Sequence, residues 1–216
     1  MLLRVHSRID SSTVNGPGRR AVIWVQGCSL ACPGCWNPNT HSARGGRDSE
    51  IAEILAWIRR LWRDSAISGF TVSGGEPLEQ AAALETLVAA LRRDIPALSV
   101  GLFSGYTERE LAKGRFKSGN LSVAQRTRSW KNIRACLDFA VLGRFNKSLP
   151  SSLPLISSGN QELLLVSSRY SLEDFEDQGV EITIDVDGLT QITGFPVLPV
   201  LAAEREPPAR VDLVLG

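Results

Sequence analysis

Ala21-Val22-Ile23-Trp24-Val25 runs through Gln26-Gly27 into Cys28-Ser29-Leu30-Ala31-Cys32-Pro33-Gly34-Cys35-Trp36-Asn37-Pro38, so an apolar, strand-like segment delivers the chain directly into a cysteine loop. The spacing C-x3-C-x2-C puts three thiolates on one short loop. Three thiolates can cap three corners of a cubane cluster and leave its fourth iron open. A structural zinc site wants four protein ligands instead. The nearest fourth candidate is His41, while Cys136 is a hundred residues away. Two readings therefore stand side by side at this point: an iron–sulfur cluster on Cys28, Cys32 and Cys35, or a zinc knuckle completed by His41. Sulfur-only ligation with one position open favours iron–sulfur.

Working outward, strand-like runs recur at Phe70-Thr71-Val72, Leu98–Phe103, Phe139–Leu142, Glu162–Val166 and Val180–Ile184. The last leads through Asp187-Gly188 to Gln191-Ile192-Thr193 and reads as a hairpin. Ile51, Ile54, Leu55, Ile58 and Leu61 fall at helical spacing, with Asp48 and Ser49 as candidate caps. Leu78, Ala81, Leu84, Leu87, Val88 and Leu91 form a second helical stripe that stops near Asp94, ahead of Pro96. Strands alternating with helices imply βαβ units and a parallel sheet. In such sheets the site lies at the carboxyl ends of the strands.

Ser73-Gly74-Gly75-Glu76-Pro77 lies at one such end, ahead of a helix. Glycines there let backbone amides approach a ligand closely, and the following helix start favours an anionic group. Glu76 is placed to accept hydrogen bonds from an ammonium. A ligand carrying both a carboxylate and an ammonium, such as a methionine moiety, suits this loop.

Bulk properties narrow the class. With 216 residues, 43% hydrophobic and 22% charged, the chain has the profile of a globular domain. We expect one domain over residues 1–200 and a C-terminal tail over 201–216. A balance of 24 basic and 23 acidic residues gives no expectation of a nucleic-acid partner. No apolar run reaches membrane-spanning length, and the N-terminus turns polar within five residues. The expectation is thus a soluble cytoplasmic protein, whose clustered cysteines bind metal rather than form disulfides.

Together, the cysteine loop and Gly74-Gly75-Glu76 resemble the radical S-adenosylmethionine superfamily. More narrowly, the chain is similar to the glycyl-radical-enzyme activases, especially the anaerobic ribonucleotide reductase activating proteins. That closer likeness rests on Ser12–Arg19, on Cys-Pro-Gly-Cys followed by an aromatic, Asn and Pro, on Ser104-Gly105-Tyr106-Thr107, and on Leu142–Asn146 with Ser157–Gln161. It covers about residues 10–165, with weaker similarity through the hairpin to Gly194-Phe195-Pro196. Two departures stand out: Leu142-Gly143 replaces an acidic-glycine pair, and Gly159 is inserted in the Ser-Ser-Asn-Gln order.

The resemblance implies an α/β fold, an incomplete parallel (βα)6-type partial TIM barrel with the cluster loop after its first strand. It implies a 4Fe–4S cluster on Cys28, Cys32 and Cys35, whose open iron takes the amino and carboxylate groups of S-adenosylmethionine. An external one-electron donor, flavodoxin- or ferredoxin-like, would reduce the cluster and break the sulfonium bond to give methionine and a 5′-deoxyadenosyl radical. Gly74, Gly75 and Glu76 would hold the methionine end, Ser104 and Gly105 would assist, and Trp36 would lie beside the cofactor. No further catalytic side chain is implied. The radical would take hydrogen from a glycine of a large partner enzyme. The alternatives are direct action on a small molecule or peptide, and a non-catalytic zinc-binding module.

Other residues carry plainer expectations. Leu111–Leu137 holds seven basic and no acidic residues and reads as a solvated loop or a basic contact surface. Cys136 reads as a core cysteine, and Trp57 and Trp62 as core residues on the first helix. Arg144 either meets substrate or bonds the sheet edge. Asp138 is either buried and paired or faces the pocket.

Overall fold

The computed structural model describes residues 1–175, 179–184 and 190–195. Its centre is a sheet of seven strands: β1 (Leu2–Ser12), β2 (Arg20–Val25), β3 (Arg47–Glu50), β4 (Gly69–Gly74), β5 (Ser99–Ser104), β6 (Phe139–Leu142) and β7 (Glu162–Leu165). Their spatial order is β3-β1-β2-β4-β5-β6-β7. The four middle strands, β2, β4, β5 and β6, are parallel. The β2 residues are buried along the whole strand, which explains why Ala21–Val25 is an unbroken apolar run rather than an alternating one.

The expected α/β class with a parallel core is observed, but the strand count differs. The Glu162–Val166 run forms β7, which pairs antiparallel to β6. β8 (Val180–Ile184) pairs with β9 (Thr190–Gly194) in a separate two-stranded sheet, so the hairpin is present without extending the parallel core. Its Asp187-Gly188 turn lies outside the described residues, as does the segment expected to form the tail.

The N-terminus, expected only to be polar, is β1, antiparallel to β2. Leu3 and Val5 are buried in the core, while Arg4 between them and the polar residues from His6 onward give the segment its polar look. Asp48 and Ser49 are not caps. They lie in β3, pairing with Arg4 and Leu3, and the helix that follows begins at Ile51 with Glu50 at its N-cap position.

Helix α1 (Ile51–Arg63) buries Ile51, Ile54, Leu55, Trp57, Ile58 and Leu61. The Trp57 Nε1–H donates to Asp10 Oδ1 at 2.8 Å, and Trp62 packs partly buried at the margin of the same core. Helix α2 (Ala81–Asp94) follows a turn of 3₁₀ helix at Pro77–Gln80 and buries the expected apolar stripe.

The basic segment is not an open loop. It contains α3 (Glu108–Ala112) at its start and α4 (Val123–Arg134) in its second half, each opened by a capping box, Thr107 with Glu110 and Ser122 with Gln125. Trp130 and Ile133 anchor α4 in the core beside α2. Its basic residues obscured a short apolar face. Cys136 is half-buried at the edge of this core, and burial pushes its thiol pKa up.

On the opposite face of the sheet, Phe139 packs against Tyr170 and Phe175. Arg20 lies fully buried over the Phe139 ring, its carbon 5.0 Å from the ring centre. Arg20 donates to Thr71 Oγ1, to Ser99 Oγ and to the Pro17, Phe70 and Ser99 carbonyls. Burial lowers its pKa to about 10. Asp138 is buried and paired, with Arg92, Arg169, Ser167 and the Val100 N–H all donating to it. Burial works to raise its pKa, but these bonds outweigh it and hold the carboxyl below its usual value.

Candidate functional site

Because β2, β4, β5 and β6 are parallel, their carboxyl ends share one edge of the sheet. The loops leaving that edge are the cysteine loop, the Gly74-Gly75-Glu76 loop, Ser104-Gly105 and Gly143. All four line one cleft of about 740 Å³. Cys28, Cys32, Cys35, Trp36, Gly74, Gly75, Glu76, Ser104 and Gly105 are thus brought together, although they lie on loops far apart in the chain.

The loops are stitched to one another by backbone bonds. The Gly75 N–H donates to the Val25 carbonyl at 2.8 Å, and the Glu76 N–H to the Gly27 carbonyl at 2.9 Å. A Cβ on Gly75 would sit 2.4 Å from the Gly27 oxygen, and one on Gly74 would sit 2.5 Å from the Val25 nitrogen. Gly74 also holds φ at +105°. The two glycines are required by this approach of backbone to backbone, quite apart from any ligand. Gly105 likewise abuts Leu30 of the cysteine loop.

Glu76 was expected to face an ammonium. Its side chain is fully buried and already engaged: Oε1 accepts from the Leu78 N–H and from Ser104 Oγ, each at 2.9 Å, and Oε2 accepts from the Gly105 N–H at 2.8 Å. A carboxylate offers roughly four acceptor positions, so about one remains for a further donor. Burial raises the Glu76 pKa to about 7, against those three hydrogen bonds.

The cysteine loop is held from outside the cleft. Ser29 donates through its N–H and its hydroxyl to Glu79. Gln26 gives its amide hydrogens to the Asn39 and Ser42 carbonyls at 3.1 and 2.7 Å, securing the chain beyond the last cysteine. The three thiols are free and half-buried, and burial pushes Cys28 up to about 11 in the protein alone. The Asn37 N–H lies 3.4 Å from Cys35 Sγ as a donor. Three unpaired thiols on one loop, one already receiving an amide hydrogen and all opening on a cleft, fit a cluster held at three corners. Among the described residues no three His, Cys, Asp or Glu side chains are arranged to hold a single metal ion.

The far wall of the cleft is aromatic. Trp36 meets Phe145 and Phe195 at 5.8 and 6.2 Å between ring centres, and Phe103 stacks on Phe195 at 5.4 Å. Phe195 and the polar residues His6 and Asn15 were not anticipated as site residues. Asn15 lay within the Ser12–Arg19 stretch and Phe195 within the weaker likeness at Gly194-Phe195-Pro196, but nothing local to His6 marks it, because only the fold carries β1 to the cleft. Arg144 does not reach for a ligand; it grips Glu110 through two bonds of 2.8 and 2.9 Å. That hydrogen bonding holds the Glu110 carboxyl at about 2.

Residues 14–164, well over half of the chain, match the family described as the 4Fe-4S single cluster domain. The chain is 28% identical over 152 residues to the anaerobic ribonucleoside-triphosphate reductase-activating protein of Enterobacteria phage T4, covering 69% of this chain and 86% of that protein. It is 40% identical over 79 residues to the pyruvate formate-lyase-activating enzyme of Clostridium pasteurianum, spanning 36% of this chain and 33% of that enzyme. Its counterpart from Staphylococcus aureus (strain USA300) is also 40% identical, over 95 residues, 37% of its length. An iron–sulfur family displaces the zinc reading of the cysteine loop. The chain belongs to the 4Fe-4S single cluster domain family, as a radical S-adenosylmethionine enzyme whose cofactors are the cluster and S-adenosylmethionine.

Proposed function

We propose that this chain activates a glycyl-radical enzyme by removing a hydrogen atom from a glycine of that partner. The observation that carries the reading is the convergence of Cys28, Cys32 and Cys35 with Gly74–Glu76 and Ser104-Gly105 on one cleft, in a chain that aligns over most of an activating protein's length. When bound, the cluster and S-adenosylmethionine supply reductive cleavage of a carbon–sulfur bond and a carbon radical strong enough to take hydrogen from an aliphatic carbon.

The chain's own residues bind, orient and exclude water. Cys28, Cys32 and Cys35 hold the cluster. The Gly74-Gly75 backbone leaves room for the methionine end of S-adenosylmethionine, and the remaining acceptor position of Glu76 takes its ammonium. Ser104 and Gly105 fix Glu76 in place. Trp36, Phe103, Phe145 and Phe195 form the apolar wall that keeps water from a reactive intermediate. In this reading β2, β4, β5 and β6 form one side of an incomplete barrel, open laterally to a loop of the partner. The domain extends to about residue 200, and the protein works in the cytoplasm with a flavodoxin- or ferredoxin-like donor.

The test is anaerobic reconstitution with iron, sulfide, S-adenosylmethionine and reductant, followed by addition of an anaerobic ribonucleoside-triphosphate reductase or a pyruvate formate-lyase. The expected result is a spin-resonance signal of a backbone glycyl radical on one of them, absent when its radical-bearing glycine is replaced by alanine. If a small metabolite or peptide instead stimulates cofactor cleavage and no protein radical forms, direct action on that molecule replaces the activase reading.

A further inference from the structure

The cysteine loop has two sides. Cys28, Leu30, Cys32 and Cys35 line the cleft, while Ser29, Ala31, Pro33 and Gly34 are exposed and absent from its lining. No residue from Gly27 to Asn39 carries a charge. In the reading above, the cofactor and the hydrogen donor occupy the cleft side. An electron bound for the cluster therefore has to cross the outer side, where small side chains let another redox centre approach closely.

Cations border that uncharged patch at two places. Lys147 lies across the loop itself: a Cβ on Gly34, between Cys32 and Cys35, would sit 3.3 Å from Lys147 Cδ. The second place is the basic segment. The Ser118 hydroxyl donates to the Glu79 carbonyl at 3.3 Å, and the Glu79 carboxylate accepts from the N–H and hydroxyl of Ser29. Glu79 alone thus joins the segment to the residue after the first cysteine. Next to Ser118, exposed Lys113, Arg115 and Lys117 alternate with buried Gly114, Phe116 and Ser118. Phe116 packs on Tyr106 at 5.9 Å between ring centres, and the Lys117 N–H donates to the Tyr106 hydroxyl at 3.1 Å, which anchors the segment and leaves its cations outside. None of these four cations has an ion-pair partner among the described residues, whereas Arg134 and Arg144 are matched by Glu108 and Glu110.

We propose that the outer face of the cysteine loop is the docking surface of an acidic one-electron carrier protein, drawn in by Lys113, Arg115, Lys117 and Lys147. Unmatched cations around an uncharged contact patch steer an oppositely charged partner and raise its rate of association. One electron passes from the carrier's reduced cofactor, which is oxidised, to the cluster, which is reduced, and no atom is transferred. The proposal rests on the cluster at Cys28, Cys32 and Cys35 and is independent of which molecule receives the radical.

The experiment reconstitutes wild type, the triple variant K113E/R115E/K117E and K147E anaerobically. Cluster reduction is followed by loss of visible absorption, with neither S-adenosylmethionine nor a radical-bearing partner present. One donor is a reduced flavodoxin with an acidic surface; the other is photoreduced deazaflavin, which is small and uncharged. With flavodoxin at low salt, the triple variant should be reduced at least about tenfold more slowly than wild type, and the difference should close as salt rises. K147E should be slowed in the same sense, and deazaflavin should reduce all three alike. Calorimetric titration with oxidised flavodoxin should show weaker binding to both variants. Equal rates and affinities with flavodoxin, a wild-type rate insensitive to salt, or the same slowing with deazaflavin overturns the proposal. If the triple variant accepts electrons normally but no longer produces a radical on the partner enzyme, the surface belongs to that enzyme instead. Should K147E lose its cluster, the triple variant, which leaves the cysteine loop untouched, decides alone.

Discussion

The Gly105 N–H donates to Glu76 Oε2 at 2.8 Å, so the carboxylate of the glycine loop is latched to the end of the neighbouring strand β5. Ser104 Oγ donates to the other oxygen of the same carboxylate. Glu76 is consequently part of the frame that holds two strand ends in register as well as a group that faces the cleft. Its substitution should disturb both.

E76Q keeps the shape of the side chain but turns one acceptor into a donor that faces an N–H or a hydroxyl. We expect a loss of about 1–3 kcal/mol of stability in the protein without cofactor, and at least tenfold weaker binding of S-adenosylmethionine to the reconstituted protein. Denaturant unfolding and calorimetric titration measure the two. Full stability with full affinity would show that the latch is dispensable.

The same residue gives a pH signature. Its pKa is about 7 in the folded protein against an ordinary 4.5, so between these values the folded state holds a proton that the unfolded state has lost. Stability therefore falls as pH rises from about 4.5 to 7 and levels off above that window. Asp138 and Glu110 have lowered values, so their contributions vanish only as pH falls below the ordinary carboxyl range. Unfolding curves between pH 5 and 8 should show the slope, and E76Q should flatten it. A slope that persists in the variant would assign it elsewhere.

Gly75 and Gly27 separate two kinds of glycine requirement. A Cβ on Gly75 meets the Gly27 backbone oxygen, which cannot move aside, whereas Gly27 has open space but a φ of +101°. G27A should show only backbone strain, about 1–3 kcal/mol. G75A should also part the two loops and lower iron retention. Iron content per chain and melting temperature check this, and equal iron retention in the two variants would contradict it.

C32A should abolish cluster binding and cofactor cleavage together. C136A should spare both, because Cys136 lies on the helix side of the sheet against the core and is absent from the cleft lining. Visible absorption and iron content are sufficient readouts. A cluster lost in C136A would place a ligand where none is assigned.

Arg20 offers a structural contrast. R20M leaves the Thr71 and Ser99 hydroxyls and the Pro17, Phe70 and Ser99 carbonyls without their donor in a fully buried place. The expected loss is about 3–5 kcal/mol, read by denaturant unfolding. A variant within 1 kcal/mol of wild type would show that these groups find other partners.

Chemistry carried by neighbours in the chain was legible from the sequence. The spacing of Cys28, Cys32 and Cys35, the glycines of Gly74-Gly75, the apolar stripe of α1 and the run of β2 are each set within a few residues of themselves, where local sterics and ligand geometry decide. Tertiary structure decided everything that depends on distant partners. Only the fold turned the N-terminal segment into β1, made β7 antiparallel, and gave Asp48 and Ser49 to a sheet edge rather than a helix cap, because strand pairing is a relation between segments that neither one contains. The same holds for the three cysteines. The loop alone states that one ligand position is open. That Glu76 is latched to Gly105, and that the three cysteines share one cleft with that latch, follow from four strand ends being brought to one edge of one sheet.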